Sequence, residues 1–330
     1  MNRLVRRLMV TVAVLSGIFL NPFRQGIAAA GEPLIVASAT IPPAEFWEGT
    51  FVYNDPLIVG RPTFARGPIV GMAAGDDVWN WQLLPDGLMY KSYLAGDKEP
   101  RLSNSFLHES GGQTLWDTAL GWRVGLIRFG TSRAIQPEGF QLDVEGGTFL
   151  RVLPGNGNDV QSMDFRAGLP LTWREGPFQA KVGAYHIESH VGDDFLAKNP
   201  GFIANGYSRT AFVAGVGYFV FDSLRIYSEL GWSFARSGGD RPWEWQSGFE
   251  WCSPDATGLR GAPYFAANVH LREATHGSGS VNVMAGWQWR RTQSDHLFRV
   301  GLQYFNGKNN QYSFLQDNQQ LIGFGVRYDY

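Results

Sequence analysis

Apolar and polar residues alternate one by one through segment after segment of this 330-residue chain. That period of two constrains the fold more than any other feature. Val281, Val283, Ala285, Trp287 and Trp289 interleave with Asn282, Met284, Gly286, Gln288 and Arg290. Phe298, Val300, Leu302 and Tyr304 interleave with Arg299, Gly301 and Gln303. Ile322, Phe324, Val326, Tyr328 and Tyr330 interleave with Gly323, Gly325, Arg327 and Asp329. Successive side chains of a strand point to opposite faces, so each segment presents one apolar and one polar face. The rhythm runs back through residues 265–272, 243–251, 224–234, 212–220, 178–184, 163–171, 142–145 and 116–126. Counting from the C-terminus gives about 12 strands, the first starting near Leu88 or Arg101.

The N-terminus indicates where such strands would be placed. Arg3, Arg6 and Arg7 precede an apolar run over residues 8–20, and Ala28, Ala29 and Ala30 supply small residues for cleavage. This is the pattern of a secretory signal peptide over residues 1–30. No later apolar run is long enough to cross a bilayer as a helix, and open strand edges are not tolerated in lipid. A chain of this kind that enters a membrane must close into a barrel. Its mean hydropathy of −0.18 fits a barrel, in which every second residue avoids lipid. The 12 Trp and 12 Tyr suit the two membrane–water interfaces. A last strand carrying Phe324, Tyr328 and Tyr330 resembles the assembly signal of bacterial outer-membrane barrels, which implies the barrel-assembly machinery as a partner. Cys252, the single cysteine, excludes an intramolecular disulfide, and a net charge of −2 gives no support for a nucleic-acid partner.

The expectation is therefore an all-β, antiparallel transmembrane barrel over residues 88–330, in the outer membrane and surrounded by its lipid. An irregular extension over residues 31–87 precedes it, broken by Pro42, Pro43, Pro56, Pro62 and Pro68. Tight turns such as Phe221, Asp222 and Ser223 contrast with a polar loop over residues 306–319, expected to reach outside the cell. The polar faces carry both signs of charge: Arg123, Asp143, Glu145, Arg151, Asp164, Arg166, Lys181, Arg225, Glu229, Glu250, Arg272, Arg290, Arg299, Arg327 and Asp329. A dozen strands enclose a narrow interior, so the expectation is a lumen filled by charge pairs, with a narrow solute channel as the alternative. Gly215 and Gly217, inside a strand, would relieve crowding there. The expected role is structural, or that of a narrow transport or binding barrel for an unidentified small molecule, rather than catalysis.

One segment gathers chemistry. Tyr185, His186, Ile187, Glu188, Ser189, His190, Val191, Gly192, Asp193 and Asp194 lie at the end of a strand opposite the turn at Gly176. Unbroken alternation points His186, Glu188 and His190 towards lipid, whereas a bulge near Tyr185 would turn them inward. Ionisable groups facing lipid invite a functional reading. A divalent metal is one candidate, with ligands drawn from His186, Glu188, His190, Asp193 and Asp194. Neighbours two apart can share an ion, but positions four apart are about 13 Å apart, so a regular strand cannot bring all three to one metal.

Outer-membrane phospholipase A and the lipid A deacylases resemble this segment, because they place a His two residues before a nucleophilic Ser on a barrel strand. His186 matches that histidine, but Glu188 stands where the Ser would be. Ser189 falls on the opposite face from His186 and His190, so it lacks the contact with its base that a nucleophile needs. The chain as a whole resembles the bacterial family DUF1207. The likeness is carried by Leu84, Pro85, Asp86, Gly87 and Leu88, by residues 137–146, by Gly168, Leu169, Pro170, Leu171 and Thr172, and by residues 185–193. The usual central motif of that family has Ser at the position of Glu188. The resemblance implies secretion and an outer-membrane barrel over roughly residues 80–330, and no mechanism.

Overall fold

The computed structural model describes residues 78–330. The signal peptide expected over residues 1–30, and residues 31–77 of the extension expected over 31–87, lie outside the described residues. Thirteen strands follow: β1 (Asn80–Leu83), β2 (Leu102–Glu109), β3 (Thr114–Gly130), β4 (Gly139–Leu153), β5 (Asp159–Glu175), β6 (Phe178–Val191), β7 (Ser208–Phe221), β8 (Leu224–Ser237), β9 (Trp243–Cys252), β10 (Ala262–Arg272), β11 (Gly279–Arg290), β12 (Leu297–Lys308) and β13 (Asn318–Asp329). A short helix, α1 (Asp193–Lys198), follows β6. Strands β2 to β13 pair in sequence order, all antiparallel, and β13 pairs with β2 to close a 12-strand barrel.

The wall is apolar outside and charged inside, the arrangement of a barrel that spans a bilayer. Leu120, Val216 and Leu302 are 62%, 60% and 65% exposed on the outer face, while Arg123, Arg151, Arg209 and Arg299 are among the largest fully buried side chains. The lumen is satisfied by pairing: Arg123 with Asp143 at 2.7 Å, Arg166 with Glu145 at 2.9 Å, Arg225 with Glu250 at 3.0 Å, and Lys181 with Glu229. Arg327 donates to Ser105 at 2.9 Å, and His270 lies 3.0 Å from Arg272 and 3.2 Å from Glu244.

The thirteenth strand is a piece of the first. β1 and β2 lie on the same edge of β3, opposite its residues 127–130 and 114–120. The Leu84 amide donates to the Leu126 carbonyl at 3.0 Å, and the Gly121 amide to the Arg101 carbonyl at 2.9 Å. Between those bonds the chain leaves the wall and fills the lumen. Residues 88–100, expected in the wall, form this plug instead, because Pro85 and Pro100 flank a stretch with no strand period and with Leu88, Met89, Tyr90, Tyr93 and Leu94 buried. Wall side chains take up the plug's backbone groups. Arg128 donates to the carbonyls of Asp86 and Gly87 at 2.7 and 2.9 Å, and Arg225 to those of Lys91 and Ser92 at 2.9 and 3.1 Å. Glu250 accepts from the Leu94 amide at 2.5 Å. At the end of the barrel that carries the C-terminus, Lys91 meets Asp295 in the turn after β11 at 3.0 Å. Burial would raise the Asp295 carboxyl, but Lys91 and Arg290 outweigh it and hold it below the usual carboxylate range.

Gly215 makes room for the plug. A Cβ there would meet Lys181 Cε and the hydroxyls of Tyr90 and Tyr93, each at 3.1 Å. Tyr93 stacks on Tyr227 at 3.9 Å and donates to Glu229 at 2.9 Å. Gly215→Leu is expected to cost about 1–3 kcal/mol by overpacking, read as an earlier urea midpoint in lipid vesicles. An unchanged midpoint would count against this packing.

The opposite mouth is closed too. The polar loop expected to extend over residues 306–319 is shorter and folds inward, with residues 309–315 buried. Its polar groups serve the lumen: Arg151 donates to Asn310 and Gln319 at 2.8 Å, and Ser162 to Gln311 at 3.1 Å. Phe314 packs on Phe195 of α1 at 5.4 Å and on Phe202 at 5.1 Å. Between this lid, the plug and the wall lies a cavity of about 60 Å³, lined by Asp97, Glu99, Asp117, Gln303, Asn310 and Arg327 among others. Water takes about 30 Å³ in the liquid, so the void holds a water or two and no solute.

Candidate functional site

β6 runs without a bulge from Phe178 to Val191, pairing residue for residue with β5. The alternation therefore persists. His186, Glu188 and His190 face outward with side chains 43%, 49% and 61% exposed, while Tyr185, Ile187 and Ser189 face the lumen. Eight residues separate His186 from Phe178 beside the near turn, about 27 Å of strand. At a tilt of 35–45° that is about 20 Å of height, and His190 lies about 30 Å up, against an apolar band about 25 Å tall. The three residues thus straddle the boundary between hydrocarbon and headgroups, where a charge costs only about 0–1 kcal/mol.

One hydrogen bond and one longer imidazole–carboxylate contact join them. His186 Nε2 lies 3.0 Å from Glu188 Oε1, and His190 Nε2 lies 3.5 Å from Glu188 Oε2. The register of β6 with β7 sets Thr210 opposite His186, and its Oγ1 lies 2.8 Å from His186 Nδ1. An ionised carboxylate only accepts, so Nε2 carries the proton, and in the neutral imidazole Nδ1 is then left to accept from the Thr210 hydroxyl. Sequence reasoning missed Thr210. It lies across the ladder, with the whole of residues 192–207 between the two strands.

Asp193 and Asp194 are not brought to this cluster. They lie past Gly192 in the first turn of α1, and among the described residues no three of His, Cys, Asp and Glu converge to hold a metal ion. Ser189 is 3% exposed inside the lumen, donating to Asp164 Oδ1 at 2.5 Å and lying 2.7 Å from Ser313 Oγ. It fastens the lid and cannot meet either histidine. The side chains of Arg123, Glu145, Arg166, Arg225, Glu229, Arg272, Arg299 and Arg327 are buried within the barrel. Phe324 and Tyr328 lie on the closing strand, and Tyr330 packs against Tyr328 at 5.4 Å.

Directly below the cluster, on the same outer face, is an apolar depression of about 570 Å³. Ala184 and Ala214 are small residues within it, and Leu169, Phe212, Leu230 and Trp232 are among its walls. Ala184 pairs with Phe212 one row below His186 and Thr210 on the shared face. The volume falls in the range of ligand pockets, about 300–1,000 Å³.

A family model described as a protein of unknown function, DUF1207, matches residues 69–330. No curated protein matches the chain. Among solved structures, outer-membrane phospholipase A from Escherichia coli is 12% identical, with a TM-score of 0.47 over 69% of this chain and 93% of that one. The Salmonella typhi phospholipase dimer with bound calcium is also 12% identical, with a TM-score of 0.48 over 69% and 91%. The KdgM porin is 12% identical, with a TM-score of 0.39 over 70% and 99%.

Proposed function

This chain belongs to the DUF1207 family of proteins of unknown function, and from that footing we propose that it is an outer-membrane barrel that works from its lipid-facing wall. An outer-leaflet lipid lies with an acyl chain in the depression below His186 and with its polar part at His186, Glu188 and His190. The observation that carries this reading is the position of a bonded polar cluster at the head of an apolar depression. The filled lumen argues against solute transport, because plug and lid both stand in the path. In this reading the chain is exported through its signal peptide, handed to the assembly machinery by the strand bearing Phe324, Tyr328 and Tyr330, and set with both barrel termini in the periplasm.

Two measurements test it. The purified barrel in planar bilayers is expected to give no stable open steps, and steady steps would restore the channel reading. Barrel extracted in mild detergent is expected to retain lipid identifiable by mass spectrometry, and Ala214→Trp, which fills the depression, is expected to retain several-fold less. Equal lipid on both would remove the proposal.

A further inference from the structure

We propose that Thr210, His186 and Glu188 form a hydroxyl–imidazole–carboxylate relay that hydrolyses a carboxylic ester of the lipid held on this wall, through an acyl-Thr210 intermediate. The inference rests on the lipid-binding reading above. Its grounds are geometric. A hydroxyl is a weak nucleophile until a base takes its proton, and the base works best when a third group fixes its tautomer. Here the hydroxyl-to-imidazole distance is 2.8 Å and the imidazole-to-carboxylate distance is 3.0 Å, both within the range of about 2.6–3.2 Å that proton transfer requires. Glu188 occupies one imidazole nitrogen and Thr210 the other, so the ring has no hydrogen bond to spare for a purely structural partner.

Position matches chemistry. Thr210 shares the outer face with Phe212, which lines the depression. A chain lying in the depression brings the ester at its head to the row of Thr210 and His186. That row stands at the boundary of the apolar band, with His186 and Glu188 nearly half exposed, so water reaches it.

The steps balance without a cofactor. Thr210 Oγ1 bonds to the ester carbonyl carbon while its proton passes to His186 Nδ1 and the carbonyl electron pair moves onto oxygen. Collapse of the tetrahedral intermediate breaks the bond to the alkoxy oxygen, and the leaving alcohol takes the proton from Nδ1. Water then attacks the acyl-Thr210 carbonyl and gives a proton to Nδ1. Oγ1 leaves, recovers that proton, and the fatty acid departs. Glu188 is a positioning residue that acts through the imidazole.

The experiment incubates the full barrel in vesicles of phosphatidylethanolamine, or in vesicles doped with lipid A, and follows released fatty acid by mass spectrometry. Release from wild type is expected to fall at least about 100-fold in Thr210→Ala and to persist in Thr210→Ser. Glu188→Gln is expected to lower kcat with little change in KM, because a carboxylate that only accepts no longer holds the imidazole in the tautomer that leaves Nδ1 free to take the Thr210 proton. Heat-modifiable migration on a gel checks that each variant is folded. Which vesicle yields product assigns the lipid. Retained lipid with no fatty acid from either vesicle, or equal release from wild type and Thr210→Ala, overturns the relay and leaves the lipid-binding wall standing. A wall that retains no lipid and releases no fatty acid overturns both.

Discussion

Asp164→Ala is expected to turn a silent barrel into one that opens. The Asp164 side chain is fully buried and fastens both obstructions at once. Its Oδ2 meets Lys98 Nζ of the plug at 2.6 Å and accepts from the Tyr312 amide of the lid at 3.2 Å. Its Oδ1 accepts from Ser189, whose oxygen in turn accepts from the Ser313 amide at 2.8 Å. Removing one partner of a buried pair leaves the other charge uncompensated, at a cost of about 3–5 kcal/mol. Lys98 would have to leave its place or find water, and the lid would lose two anchors. The rest of the plug stays tied through Arg225, Arg128 and Glu250, so the openings should be brief and small. Planar-bilayer recording should show them in Asp164→Ala and not in wild type. Asp164→Asn should fall between the two, since an amide oxygen still accepts but no longer neutralises Lys98. An Asp164→Ala barrel that is as silent and as stable as wild type would refute the latch.

The wall was legible in the sequence because its two faces meet different solvents. Lipid selects Leu120, Val182, Val216 and Leu302, the lumen selects Arg123, Lys181 and Arg299, and a strand sorts them by parity. What fills the lumen was not legible. Asn309, Asn310, Gln311 and Ser313 read as a loop in water, because a charged lumen asks for the same polar residues that water does. The plug has no period to find, and it splits the first strand into β1 and β2, two runs too short to stand out. That interruption is also why the described residues hold thirteen strands although twelve close the wall. At the site, alternation left His186, Glu188 and His190 outward if unbroken or inward after a bulge near Tyr185, and only the bulge-free pairing of β6 with β5 decides for outward. Alternation could not supply Thr210, because a cross-strand partner depends on register after a long loop, and nothing local in residues 192–207 sets that register.

Deleting Tyr328, Asp329 and Tyr330 is expected to reduce assembled barrel nearly to nothing. β13 is the closing strand, and β2 on its far side is short, pairing with it only over residues 102–109. Tyr328 is the partner of both Phe298 and Leu102, so the deletion frays the seam from its near end. Unpaired backbone groups at a seam in lipid cost several kcal/mol each. The deletion also takes the carboxylate that meets Arg299 at 2.7 Å and Arg101 at 3.2 Å, leaving two buried guanidinium groups short of an anion. Asp329→Asn separates these causes, because it keeps the ladder and both tyrosines while removing the charge. Membrane fractions run on a gel with and without boiling should show the compact, heat-modifiable form for wild type and for most of Asp329→Asn, and almost none for the deletion. If Asp329→Asn fails as completely as the deletion, the buried ion pairs at the foot of the plug govern assembly and the aromatic end does not. A deletion that assembles at wild-type levels would remove the role assigned to Tyr328 and Tyr330 altogether.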